Sequence, residues 1–355
     1  MTSHLSGYLC QNFGMQQARV KLIYTGGTIG MVKDPVTGSL TAFDFGDVYK
    51  HIPELARLQV ELTTHAFPKP IDSSEMHPGW WKAIAELIYN DYHHYDGFVI
   101  LHGSDTMAFT ASALSFMLQG LEKPVILTGS QLPIGTIRTD GKENLITAIE
   151  VAAAKKADGS AMIQEVAIYF EYSLYRGNRT SKVSASSFEA FRSPNLRPLA
   201  VAGVHIDYAA NQLIGKGPLQ LFTDFDPSVA LIKLFPGLNW DLYASLFDPS
   251  KVKAIVLETY GSGNAPSDEK FHDLLLSYLE SGGTVLNITQ CSTGRVEQGK
   301  YETSSFFEKH GVISGHDMTT EAAVTKLMFA LGKFSGDQKA VRNCMQTALC
   351  GEMSV

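Results

Sequence analysis

Four short segments hold the side chains whose types could do chemistry. Thr25 and Thr28 flank a glycine pair in "TGGTIG"; Ser73, Ser74 and Glu75 lie in "DSSEM"; Ser104, Asp105 and Thr106 in "HGSDT"; and Ser181 with Lys182 in "RGNRTSK". A hydroxyl becomes a useful nucleophile only when a base takes its proton and donors hold the developing oxyanion. A set of hydroxyls with the carboxylate of Asp105 and the amine of Lys182 can supply these roles without histidine.

A phosphate cradle is the rival reading of "TGGTIG". A dinucleotide fingerprint needs G-x-G-x-x-G between a strand and a helix, and a P-loop ends in G-K-[ST]. Gly27 and Gly30 have the right separation, but Thr25 takes the first glycine's place. Pro35 and Gly38 then fall where a helix should begin, so no helix N-terminus is offered to a phosphate. Asp44 and Asp47 stand near the distance of a ribose-binding acid, a weak signal on its own. The stretch after Thr28 reads better as a loop folding over a small ligand.

The elements that must position these groups alternate. Apolar runs end in polar turns: Val20 to Tyr24 before "TGGTIG", Gly97 to Leu101 before "HGSDT", Pro124 to Leu127 before "TGSQ", and Val166 to Phe170 before "EYSLYRGN". Continuous apolar strands suit a parallel sheet buried on both faces. Helical stretches from Pro78, Thr106 and Gly141 lie between them, as in an α/β domain whose ligands bind outside the carboxyl ends of the strands. Past His205 periodicity fades into a linker with a short edge hairpin. Strand and helix alternation then resumes, with a helix from Asp268 to about Glu280 capped by Ser267. The division expected is an N-terminal extension over 1–18, an α/β domain over 19–207, a linker over 208–227 and a smaller α/β domain over 228–355.

The 355 residues give ample material for two cores. Acidic residues outnumber basic ones, 36 against 29, without a dense Lys/Arg tract, which argues against a nucleic-acid partner. Cys10, Cys291, Cys344 and Cys350 lack CxxC spacing and read as free thiols of a reducing compartment. The first residues lack the basic and apolar regions of a secretory signal, with Met15 a possible natural start, and no apolar run is long enough to span a bilayer. The expectation is a cytoplasmic protein that binds neither membrane nor metal.

Bland roles compete at several positions. Thr25 and Gly26 can simply shape a turn, Ser73 can be a cap, Lys182 can be a solvated lysine, and Asp105 can cap the helix opening near Thr106. His102 reads as a packed strand-end histidine, and Trp80 and Trp81 as packing residues. His93 and His94 with Asp91 and Asp96 lie at a polar helix end rather than in a metal site.

"TGGTIG", "DSSEM", "HGSDTM", "GNRTSK" and "YGSGNAP" in this order resemble the bacterial-type L-asparaginases, in particular their cytoplasmic type I branch, from about Arg19 across nearly the whole chain. The resemblance implies a larger, flavodoxin-like parallel-sheet domain and a smaller Rossmann-like one. It implies hydrolysis of the side-chain amide of L-asparagine without a cofactor. Thr28 would be the nucleophile and Ser104, Asp105 and Lys182 the proton-handling set. Ser73 and Ser74 would bind the substrate α-carboxylate, Asp105 the α-ammonium, and Asn264 would enter from a neighbouring subunit. That last role implies a homo-oligomer, a dimer or a tetramer. Hydroxyls facing a carboxylate and a carboxylate facing an ammonium suit a zwitterion.

The sequence departs from the family pattern twice. Position 104 is serine where the family usually has threonine, which keeps the hydroxyl and loses a methyl worth on the order of 0.8 kcal/mol. A lost oxyanion donor would cost roughly 2.7–4 kcal/mol, so chemistry should survive. The loop that in relatives carries a closing tyrosine has Ser39 or Leu40 here, and Tyr49 is too far along. Glu258 and Cys291 lie in the region of the effector site some type I relatives have. Two other functions fit less well: an amidase acting on glutamine or aminoacyl-tRNA, and an amino-acid-binding regulatory protein with weakened catalysis.

Overall fold

The computed structural model describes residues 17–33, 40–42, 52–215, 217–299 and 302–354. β1 (Ala18–Tyr24) is followed by the small antiparallel pair β2 (Met31–Lys33) and β3 (Leu40–Ala42), and then by β4 (Val60–Ala66). Next come β5 (Gly97–Leu101), the two-residue β6 (Leu118–Gln119), β7 (Val125–Thr128), β8 (Val166–Phe170) and β9 (Ser173–Arg176). The pair β10 (Ser181–Lys182) and β11 (Phe191–Arg192) precedes the edge hairpin β12 (Ala200–Ala202) and β13 (Ile206–Tyr208). The large sheet runs β13-β12-β9-β8-β7-β5-β1-β4. Its parallel part, β4-β1-β5-β7-β8, has the flavodoxin order 2-1-3-4-5.

The inner strands β5, β7 and β8 are almost wholly apolar because both faces are covered, whereas the edge strand β4 is mixed, with Glu61 and Thr64 exposed. In β5, Val99 and Leu101 join one core with Leu145 and Ile149 of α3 (Gly141–Ala153). Phe98 and Ile100 join the opposite core with Ile84 and Ile88 of α1 (Pro78–Asp91) and Leu114 of α2 (Met107–Met117). The period-two alternation of a strand thus feeds two cores at once.

The stretch read as a linker contributes structure: β14 (Gln220–Leu221) pairs antiparallel with β6. β15 (Val229–Lys233), β16 (Ala254–Thr259), β17 (Thr284–Thr289) and β18 (Ile313–Ser314) then form a separate parallel sheet in sequential order. α4 (Glu269–Glu280), α5 (Glu302–Lys309), α6 (Thr320–Lys333) and α7 (Gln338–Gln346) accompany it. The cap of α4 is Asp268, which accepts from Phe271 N at 2.9 Å, rather than Ser267. Both residues are good caps, and one position separates them. α6 packs on α2, with the rings of Phe116 and Phe329 stacked at 5.9 Å. No described helix is long and apolar enough to cross a membrane.

Candidate active site

Three of the predicted turns meet backbone to backbone. Thr25 N donates to Leu101 O at 3.0 Å, and Ile71 N donates to Thr25 O at 2.7 Å. The buried hydroxyl of Thr25 also goes to Leu101 O, at 2.9 Å, so this threonine ties the turn together and its oxygen is occupied. Gly26 and Gly27 have φ of +147° and +91°. A Cβ at Gly26 would lie 2.2 Å from Ile71 O, and one at Gly27 2.6 Å from Gly103 N. A Cβ at Gly103 would in turn strike Ser73 Oγ at 2.5 Å. Only glycine allows three strand ends to approach this closely. Thr28, half-buried, opens the single 3-10 turn that follows.

Ser73 is buried and Ser74 exposed, both in the 3-10 turn Ser73–Glu75. The cap here is Asp72, which accepts from the N–H and the hydroxyl of Ser74, each at 2.9 Å. Those bonds hold the Asp72 carboxyl below its ordinary range. The Thr106 hydroxyl donates to Ser73 O at 2.6 Å, fastening "DSSEM" to "HGSDT".

Lys182 completes the cluster from β10. Its ammonium donates to Ser104 Oγ at 2.9 Å and to Asp105 Oδ1 at 2.6 Å. The lysine side chain is 16% exposed and that of Asp105 67%, so the amine is enclosed while the acid still faces outward. Lys182 is therefore not a solvated lysine. The cap position of α2 falls to Thr106, without a side-chain capping bond, and the Asp105 carboxylate turns to Lys182.

Beneath this cluster His102 is fully enclosed. Trp81 Nε1 donates to Thr110 Oγ1 at 3.1 Å, Thr110 Oγ1 lies 2.9 Å from His102 Nε2, and His102 Nδ1 lies 2.7 Å from Gly103 O. Burial pushes the imidazole down to about 4, opposed by its bond to Gly103, so at neutral pH it is uncharged. Its Nδ1–H then braces the carbonyl just before Ser104. Of the four residues weighed as a metal cluster, Asp91 pairs with Lys21 and Asp96 with Lys155.

Sequence reasoning missed the side chains that brace the lysine segment. Arg179 forms a buried two-bond pair with Asp317, at 2.9 and 2.7 Å, and donates to Glu352 O. Asn178 donates to Cys350 O at 2.9 Å. More than a hundred residues separate these partners, and no local pattern announces them. Asn264 lies beyond β16 in the smaller domain, where its N–H bonds Tyr260 O. Glu258 is engaged by Lys233 and Thr320. Cys291 is exposed, and Cys291, Cys344 and Cys350 are free thiols, with burial raising the last two. Cys10, Met15, Asp44, Asp47, Ser39 and Tyr49 lie outside the described residues; Leu40 opens β3.

A flavodoxin-ordered sheet whose strand tips carry hydroxyls and an acid, met by a lysine from β10 and joined to a smaller parallel domain, defines a two-domain α/β enzyme. The Asparaginase N-terminal family model matches residues 19–213, and the Glutaminase/Asparaginase C-terminal domain matches 228–345. The chain is 42% identical over 348 residues to L-asparaginase 1 of Escherichia coli, covering 96% of this chain and 99% of that one. It is 37% identical over 362 residues to the human 60 kDa lysophospholipase, covering 95% of this chain and 62% of that protein. The crystal structure of L-asparaginase I from Vibrio cholerae superposes with a TM-score of 0.86 at 38% identity, covering 96% of this chain and 100% of that one. The chain belongs to the asparaginase family of hydrolases.

Proposed function

We propose that the chain hydrolyses the side-chain amide of L-asparagine to aspartate and ammonia through an acyl-enzyme on Thr28. The observation that carries this reading is the bond of Lys182 to both Ser104 and Asp105, on a turn whose Gly103 packs against Gly27, the residue before Thr28.

In this reading Thr28 Oγ attacks the amide carbon while its proton passes to the Lys182–Asp105 pair, whose carboxylate can accept it. Collapse breaks the carbon–nitrogen bond, and the departing amine takes that proton from the pair and leaves as ammonia. A water, activated by Ser104 with Lys182, attacks the ester, releases aspartate and returns the proton to Thr28. Asp105 holds the lysine in place and accepts from the substrate ammonium, which its exposure allows. Ser73 presents donors to the α-carboxylate. Ser74 does so by turning its hydroxyl away from Asp72.

Asn264 reaches the site from a second subunit in a dimer or homotetramer, and the enzyme works in the cytoplasm. No cofactor is invoked, since every proton step has a residue on these turns. The test is ammonia release with asparagine and glutamine compared at equal concentrations. Faster release from asparagine is the expected result; binding of asparagine without ammonia would replace the reading with a regulatory one.

A further inference from the structure

Lys182 and Ser181 are neighbours on a two-residue strand, so their side chains leave opposite faces. One face carries the Lys182 ammonium to Ser104 and Asp105. On the other, the Ser181 hydroxyl donates to Glu321 Oε2 at 2.8 Å, across 140 residues. Glu321 stands in the first turn of α6, in the smaller domain.

The same helix packs along α2, whose N-terminus directly follows Asp105 and Thr106. α6 therefore contacts both neighbours of the cluster: the helix that follows Ser104 and Asp105 and, through Glu321, the strand of Lys182. Just before α6, Asp317 grips Arg179, three residues before Lys182. Resting on the catalytic reading of Lys182, we propose that Glu321 is a positioning residue for this lysine, acting through the Ser181 hydroxyl.

Burial raises the Glu321 carboxyl above its ordinary range, and the nearby Glu258 adds to that. Keeping such a group at a domain junction costs stability, so a role beyond adhesion accounts for it. Displacements of about 1 Å in a catalytic group can cost 10²-fold in rate, the scale on which loss of the Glu321 tie would act.

The experiment is steady-state ammonia release from asparagine by Glu321→Ala, Glu321→Gln, Ser181→Ala, the double variant Ser181→Ala/Glu321→Ala, and Lys182→Met, with thermal midpoints for each. Expected are kcat losses of about 10- to 100-fold for either alanine variant, with KM within about twofold. The double variant should be no slower than the slower single, because both remove one interaction. Glu321→Gln, which keeps an acceptor, should recover most of the rate. Alanine variants with unchanged kcat, or with additive losses, overturn the proposal. An active Lys182→Met would instead overturn the catalytic reading beneath it. If Glu321→Ala fails to fold, Ser181→Ala and Glu321→Gln decide the matter by the same criteria.

Discussion

Lys182 places its ammonium 2.6 Å from the Asp105 carboxylate, across 77 residues of sequence. The pair is asymmetric, with an enclosed lysine and an outward-facing acid. Such a pair contributes little to stability because water screens the acid. Lys182→Met should therefore lower kcat by about 10²- to 10⁴-fold, the range of a lost proton-transfer group, while the thermal midpoint stays near that of the parent. Ammonia release and a melting curve on one preparation separate the two effects.

Gly27 has φ +91°, and an added Cβ would lie 2.6 Å from backbone that cannot swing away. Gly27→Ala should cost about 1–3 kcal/mol from the strained backbone alone and should abolish activity, because it parts the turn of Thr28 from that of Ser104. Urea unfolding and ammonia release check this together.

His102 gives a pH signature. Its folded pKa, near 4, lies below the ordinary 6.5, so the unfolded chain binds the extra proton first as pH falls. The stability is fully present above about pH 6.5, declines as pH drops toward 4 and levels off below that. The whole effect amounts to about 3 kcal/mol at most. The wild type should lose more stability over this window than His102→Asn, and parallel profiles would rule the assignment out.

Lys326 and Glu352 form an ion pair with neither side chain exposed. Lys326 also donates to Thr347 O at 2.7 Å, and Glu352 accepts from the N–H groups of Leu349 and Cys350. Removing one partner leaves a buried charge without its counter-ion, which costs roughly 3–5 kcal/mol. Lys326→Met should show a loss of that size in urea unfolding, and Lys326→Met with Glu352→Gln a smaller one.

What was legible in the sequence was what is local. The runs ending in "TGGTIG" and "HGSDT" showed parallel strands with polar tips, because a strand buried on both faces must be largely apolar, Lys21 in the first run being the exception that pairs with Asp91. The motifs named Ser73, Ser104, Asp105, Thr106 and Lys182, which hydrogen bonds link in two groups, and the spacing of Thr25, Gly26 and Gly27 left turn and chemistry both open for Thr25. The structure decides for the turn through the bond to Leu101 O. Capping was read one residue off at Asp268, and Asp72 rather than Ser73 caps its turn, since adjacent Asp and Ser compete on equal terms. Arg179 with Asp317 and Ser181 with Glu321 could not be read at all. Each pairs an ordinary surface-type residue with one about 140 positions away, and only the docking of α6 on α2 brings them together.

Attack of the Thr28 hydroxyl on the amide is tested by steady-state ammonia release from wild type and Thr28→Ala over a range of asparagine concentrations. Thr28→Ala should fold normally, and its kcat should fall by at least about 10³-fold, as when a nucleophile is removed. Equal rates from the two proteins would contradict attack by Thr28.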